Sequence, residues 1–451
     1  MKVDKTVLLK NYFPLALQKT KELVKIPSYR INAKKGEITP KAIQDALVFC
    51  INLCKEFKME TFISPDFKYG YADFGTGDKL FGIICHLDVV PPGNIDEWKT
   101  PPFEPIESDG KLYGRGSFDD KGPTLMNLYA LKYLIDHNFK PDYKIRFIFG
   151  TSEETTWECI NAYVANEKLC DLGYVPDGHF PVVYAEKWIV DLDLKGEFKC
   201  DFKIMGGEAY NAVNDLVAYE GPNIEAIAGF LTKNDVETYQ KNNILYIKGI
   251  SAHGSLPFKG KNATNWLLYA LKNICINHPL VDFISKYFHN DYQMIAVFGD
   301  LSDDTGNLTA NNGIIELNND NFRYTFNFRV PCQSDPKKDV IDKITQFIKK
   351  YNINIEVKAI EDKVYFKKDG HVVKNIMSVY QEVTGDFKSQ PIAIGGGTFA
   401  KSMPNIIAFG AEFDLNESTM HAYNEYVKID DLKKMIEIYT KSIIKLTTIK
   451  K

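Results

Sequence analysis

The residues best suited to chemistry begin in Phe81–Val90, where an apolar run ends in His86 and Asp88 follows two positions on. Residues i and i+2 of a strand share a face, so imidazole and carboxylate leave the strand end in one direction. An imidazole binds a divalent metal, and a carboxylate nearby orients it or a bound water. Five further polar groups fall at predicted strand ends or in loops: Asp119, Glu153, Glu154, Asp177 and His421. Two imidazoles with several carboxylates match the ligand needs of two divalent cations such as zinc, cobalt or manganese. A metal pair roughly 3.5–4 Å apart needs a bridging carboxylate and a water between the ions. Asp119 is the natural bridge, although it also suits N-cap duty ahead of a helix opening at Pro123, which Asp120 could perform instead. Glu153 and Glu154 divide labour near a dication: one ligates, the other faces the water as general base. Taken alone, that pair also fits an exposed loop, Asp177 an ordinary turn and His421 a structural imidazole.

These residues need a scaffold that gathers them. The apolar stretches Phe81–Val90 and Lys144–Phe149 read as strands, with a helix over about 123–137 between them. Strand, long crossover and strand imply a parallel sheet, and open parallel sheets bind ligands beyond the carboxyl ends of their strands. Helices are expected over about 5–25 and 41–57, and a strand over Tyr69–Phe74. After about residue 187 the texture changes: strands are expected at 190–205, 244–250, 293–299 and 321–330, and helices at 221–231, 261–277 and 336–351. From about 366 the earlier pattern returns, with helix 372–383, a Gly-rich turn at 395–398, strand 406–411 and helix 430–447. The expectation is an α/β catalytic domain, residues 1–187 and 364–451, with a mostly parallel central sheet flanked by helices. An α+β lid, residues 188–363, is inserted into it.

Composition narrows the function classes. The 451 residues are 45% apolar and 25% charged, with a net charge of -4, which argues against nucleic-acid or membrane-surface partners. No stretch approaches the roughly 20 apolar residues of a membrane span, and Met1–Lys10 lacks the apolar core of a signal peptide. The eight cysteines form no Cys-x-x-Cys pair; Cys50, Cys54 and Cys85 read as buried thiols in a reduced, cytoplasmic setting. Only five of the 55 basic residues are arginine, among them Arg115 and Arg329.

His86-Leu87-Asp88, Gly114-Arg115-Gly116, Asp119-Asp120-Lys121-Gly122, Ser152-Glu153-Glu154, Pro176-Asp177 and His421 stand in the order and approximate spacing of a known family. The chain resembles the dinuclear zinc exopeptidases: aminoacylase, succinyl-diaminopimelate desuccinylase, carnosinase and the PepV-type bacterial Xaa-His dipeptidases. Similarity to the last is closest, through His86–Pro91, Asp119–Thr124 and Gly395–Thr398. One difference follows His421, where Ala422-Tyr423-Asn424-Glu425 replaces the PepV pattern Gln-Pro-Asn-Glu.

The resemblance implies that His86 and Asp177 bind one metal, Glu154 and His421 the other, and Asp119 both. Asp88 would hold His86, and Glu153 would be the general base. In the lid, Ser251-Ala252-His253-Gly254 resembles the motif whose imidazole polarises the scissile carbonyl, and Asn211 a substrate-contacting residue. Arg329 resembles an arginine that grips a substrate carboxylate. Gly396, Gly397 and Thr398 lie in a loop resembling one that offers backbone N–H groups to the same carboxylate, though a plain turn fits too. The implied activity is hydrolysis of dipeptides with a free C-terminal carboxylate, a hydroxide between two divalent ions attacking the carbonyl. The lid must close to bring His253 in, with a hinge near residues 187 and 364, and its size favours a monomer. An N-acyl-amino-acid deacylase, desuccinylase or carboxypeptidase of the same family is the alternative enzyme; an inactive metal- or peptide-binding relative is the alternative of another class.

Overall fold

The computed structural model describes residues 1–31, 33–414 and 417–449. Its chain forms two compact units: Met1–Tyr184 with Phe366–Ile392 and Thr398–Lys451, and Ala185–Tyr365 with Ala393–Gly397.

The first unit is built on a sheet with a parallel centre. Tyr143–Gly150, Lys79–His86, Leu172–Val175 and Ile406–Ala408 lie side by side in that order, all parallel. Tyr69–Phe74 and then Glu60–Ile63 extend one edge antiparallel. After its first residue every position of Lys79–His86 is buried; a strand covered on both faces needs such an unbroken apolar run. His86 stands level with Gly150 across the ladder, so the loops carrying Asp88 and Glu153-Glu154 leave the sheet side by side. Asp177 follows the next strand by two residues.

Helix Lys121–Asp136 starts two residues before its expected position, with Asp120 as N-cap and Pro123 at the third helical position. It is buried on almost every side, packed against Phe13–Val24 and Ile429–Thr447, which explains why its sequence is apolar all round rather than amphipathic. The free thiols of Cys50, Cys54 and Cys85 are buried in this unit. No helix among the described residues is long and apolar enough to cross a membrane.

The second unit is α+β. Its antiparallel sheet runs Thr238–Lys241, Ile244–Lys248, Leu216–Glu220, Lys203–Gly206, Ile315–Leu317, Asn321–Val330, Trp188–Glu197 and Asn354–Glu361. Successive side chains of a strand face opposite ways. Val190, Leu192, Leu194, Phe322, Tyr324, Phe326 and Phe328 therefore join a core with Leu267, Leu271, Phe283 and Ile344 from the helices. Asp191, Asp193, Arg323, Asn327 and Arg329 take the other face, where Arg323 Nε donates to Asp193 at 2.9 Å and Asn327 to Asp191 at 2.6 Å.

One expected strand is a helix. Residues 293–299 contain the turn Ile295–Phe298. The Asp291 carboxylate accepts the N–H groups of Gln293 (3.0 Å) and Ile295 (2.7 Å) and so caps the turn. Its buried residues Met294 and Phe298 stand one helical turn apart.

Two glycines test the packing in opposite senses. A Cβ on Gly173 would lie 2.4 Å from the carbonyl oxygen of Gly82 on the adjacent strand, whereas one on Gly229, mid-helix, meets nothing within 4 Å. Gly173→Ala should cost about 1–3 kcal/mol. Gly229→Ala should gain about 0.5–1 kcal/mol by removing helix-disfavouring backbone freedom. Thermal melting of the two variants checks both signs.

Candidate metal centre

At the carboxyl end of the parallel strands, the Asp119 carboxylate lies between two imidazoles. Its Oδ1 is 3.0 Å from His86 Nε2 and its Oδ2 is 3.0 Å from His421 Nε2. Glu154 Oε2 is 3.2 Å from the same His421 nitrogen, and Asp177 Oδ2 is 3.6 Å from His86 Nε2. Two trios of potential ligand atoms, His86–Asp119–Glu154 and His86–Glu153–Asp177, each fall within 4.8 Å of one another. His86, Asp88 and Asp119 are buried, whereas the His421 side chain is 57% exposed and forms the open side of the cluster.

The neighbours of His86 differ from expectation in one respect. Its Nδ1 lies 2.9 Å from the backbone carbonyl of Asp88, while the Asp88 carboxylate is farther, at 3.8 Å. That carboxylate instead accepts the N–H groups of Glu153 (3.0 Å) and Glu154 (3.1 Å). Asp88 thus orients the imidazole through its main chain and pins the two glutamates through its side chain. The carbonyl contact favours the tautomer with hydrogen on Nδ1, leaving Nε2 as the ligand nitrogen.

Electrostatics reflect the crowding. Burial disfavours a charged imidazole, yet Asp119 and Asp177 outweigh it and hold the His86 pKa well above the usual range; Asp119 and Glu154 likewise raise that of His421. Burial pushes against ionisation of Asp119 as well, but the two imidazoles pull its pKa below the carboxylate range. Burial, then the charge of Asp119, pushes Glu154 up to about 7, and burial raises Glu153 well above an ordinary glutamate. Several buried acids beside two imidazoles form a nitrogen-and-oxygen donor set that fits divalent cations of the zinc, manganese and cobalt class.

The second unit gathers the other expected residues by itself. Gly254 N donates to Asn211 O at 2.6 Å, and Ala212 bridges antiparallel to His253, so Asn211 and His253 sit on adjacent segments. His253 Nδ1 is 2.7 Å from Ser255 Oγ. Arg329 is buried; its Nη1 donates to Gly395 O at 2.6 Å and its Nε to Asn327 at 2.9 Å. Gly395 packs against Ser255 and the Arg329 stem so closely that a Cβ there would meet Ser255 at 2.8 Å. Gly396 and Gly397 belong to this unit and Thr398 to the first, where the Thr398 hydroxyl accepts the Ala400 N–H.

Sequence reasoning gave no role to Glu425 or Arg115, which form a buried ion pair at 2.8 Å beside Asp119. The available signals were the scarcity of arginine and the acidic residue four positions after His421.

Residues 82–445 match the family model described as Peptidase family M20/M25/M40. A relative from Staphylococcus epidermidis named "Putative dipeptidase" is 32% identical, over 95% of this chain and 96% of its own length. One of the same description from Staphylococcus haemolyticus is 31% identical, over 94% and 96%. Among solved structures, human carnosine dipeptidase 1 superposes with a TM-score of 0.60 at 15% identity, over 98% of this chain and 99% of that one. Aminoacylhistidine dipeptidase from Vibrio alginolyticus gives 0.59 at 13% identity, with the same coverage. At these identities the superpositions establish the fold.

Metal ligation requires neutral imidazole and ionised carboxylate. In the metal-free cluster the imidazoles of His86 and His421 and the carboxyls of Glu153 and Glu154 hold their protons more tightly than usual, so metal must displace those that remain. Binding should release protons, and affinity should rise with pH. The raised imidazole pKa values stabilise the metal-free chain fully below the unfolded value of about 6.5, and that stabilisation is lost as pH rises through the folded values. Zinc should therefore raise the melting temperature more at pH 8 than at pH 6. Calorimetric titration in buffers of differing ionisation enthalpy, with melting at both pH values, tests this; heats independent of buffer would contradict it.

Proposed function

This chain belongs to peptidase family M20/M25/M40, and from that premise we propose that it is a dinuclear metallopeptidase that cleaves dipeptides bearing a free C-terminal carboxylate. The observation carrying this reading is the Asp119 carboxylate with one oxygen toward each of His86 and His421, the disposition a bridging ligand needs. His86 and Asp177 would hold one ion, Glu154 and His421 the other, and Asp119 both. When bound, the ions supply Lewis acidity that acidifies a water and polarises the scissile carbonyl.

The protein groups divide the remaining work. Glu153 takes the proton of the attacking water and returns it to the leaving amine. Support for that role comes from its place in the trio with His86 and Asp177 and from burial, which makes its carboxylate a better proton acceptor than an exposed one. Asp88, by holding the N–H groups of both glutamates, orients ligand and base together. His253 donates to the developing oxyanion, a contribution typically worth a few kcal/mol. Arg329, with Asn211 and the loop of Gly396, Gly397 and Thr398, would bind the substrate's C-terminal carboxylate; a rigid guanidinium fork suits that task. The second unit acts as the lid, and the enzyme works as a cytoplasmic monomer.

Turnover across dipeptides, tripeptides and N-acyl amino acids, after chelation and add-back of zinc or manganese, tests the substrate class. Cleavage of N-acyl amino acids without dipeptides would replace dipeptidase by deacylase. Glu153→Ala should retain its metal and lose about 10²–10⁴-fold in turnover, read by elemental analysis beside steady-state rates. Activity near that of the parent would remove Glu153 from the mechanism.

A further inference from the structure

Glu425 is buried in the first unit, four residues after His421. Its carboxylate accepts Arg115 Nη1 at 2.8 Å and the backbone N–H groups of Gly116 (3.0 Å), Phe118 (3.0 Å) and Asp119 (3.2 Å). Its own backbone carbonyl accepts the Gly114 N–H at 3.0 Å. One residue therefore holds nearly the whole loop from Gly114 to Asp119, including the amide of the residue whose carboxylate faces both imidazoles. The clasp is completed from the other side. Arg115 Nη2 reaches the carbonyl of His421 at 3.5 Å, and the next pairing along the chain is Tyr426 with Tyr113. His421 itself has a left-handed backbone, at φ 61°, a conformation that non-glycine residues adopt only where neighbours hold them.

We propose that Glu425 is a positioning residue that sets the spacing of Asp119 relative to His421, and through it the affinity of one of the two metal positions. The proposal rests on the dinuclear reading above. Asp119 and His421 hang from segments some 300 residues apart in sequence, and the three amides join them through a single side chain. Without that carboxylate, three N–H groups in the interior lose their acceptor, which the chain corrects by moving the loop. Asp119 moves with it. The bonds of Glu425 run to the Asp119 loop and to Arg115, not to Asp177, Glu153 or Glu154. The position built from Glu154, His421 and Asp119 is thus disturbed at two of its donors, and the one built from His86 and Asp177 at Asp119 alone.

Glu425→Gln tests this in the full chain. Gly116, Phe118 and Asp119 donate to one carboxylate oxygen and Arg115 to the other. Glutamine keeps the shape but has a single acceptor oxygen, so whichever way it turns, its N–H₂ faces a donor on one side and that half of the clasp opens. Manganese titration of the chelated protein by calorimetry should give two sites in the parent. In the variant one site should weaken by about 10–100-fold, the usual effect of removing a group that orients a ligand, with the other little changed. The cobalt absorption spectrum should then develop fully at one equivalent and need excess metal for the second. The metal-free variant should melt below the parent, because Arg115 loses its buried partner, so the inequality between the two sites is the reading that counts. Glu425→Asp, which keeps the charge, should recover part of the lost affinity. Two sites of parental affinity in Glu425→Gln would overturn the proposal. So would equal weakening of both sites, the mark of a purely structural residue. If Glu425→Gln does not fold, Glu425→Asp is read by the same titration, and parental affinity at both its sites overturns the proposal. A parent chain that binds no manganese would overturn the dinuclear reading itself, a different result from either.

Discussion

Carboxylates repel one another, and repulsion is strongest where water is excluded. The first unit nevertheless brings Asp119, Glu153, Glu154 and Asp177 within reach of one another at the mouth of its sheet, Asp119 buried and the rest at least partly so. Such a group persists only if positive charge is interleaved with it. In the protein alone that charge comes from protons on His86 and His421, whose pKa values the neighbouring carboxylates raise, while burial and the charge of Asp119 push Glu154 up to about 7. Divalent cations satisfy the same demand more completely. The affinity of the site and its acid–base behaviour are two faces of one electrostatic constraint.

The scaffold serves that constraint by collecting loops. Parallel strands end on the same side, so residues distant in sequence meet there without long connections. Asp88 then does two jobs in two directions: its carbonyl steadies an imidazole and its carboxylate anchors the turn of the two glutamates. The second unit arranges its own polar residues on a different principle. Its sheet gives one face to the core and leaves the other to Asp191, Asp193, Arg323, Asn327 and Arg329, so the guanidinium of Arg329 is fixed by strand alternation and by the carbonyl of Gly395.

Most of the cluster was legible in the sequence because its members follow a recognisable boundary, whether an apolar strand ending in a polar residue or a glycine-rich turn; His421 follows a plain loop and was picked out through the resemblance to the zinc exopeptidases. The main helices of the first unit and the parallel strands were legible for the same reason. What escaped shows the limits of local pattern. Residues 293–299 are apolar and β-branched enough to pass for a strand, and only the Asp291 side chain, bonding to the backbone after it, tips them into a helical turn. Asn354–Glu361 is a strand at the sheet edge that the sequence reading left unnamed; Ile355, Val357 and Ala359 alternate with Asn354, Glu356 and Lys358, but the run is short, mostly exposed and broken by a bulge between Val357 and Ala359. The work of Asp88 and Glu425 consists of bonds to backbone amides up to 311 positions away, and an amide has the same appearance in every residue.

His86, Asp119, Glu154 and Asp177 all precede residue 178, and His421 follows the last of them by 244 positions. During synthesis the pocket therefore stays open on one side until translation has passed that histidine. A nascent chain that stops short of it carries every proposed ligand but one. Hydrolytic competence is thereby deferred until the late imidazole has been made and folded into place.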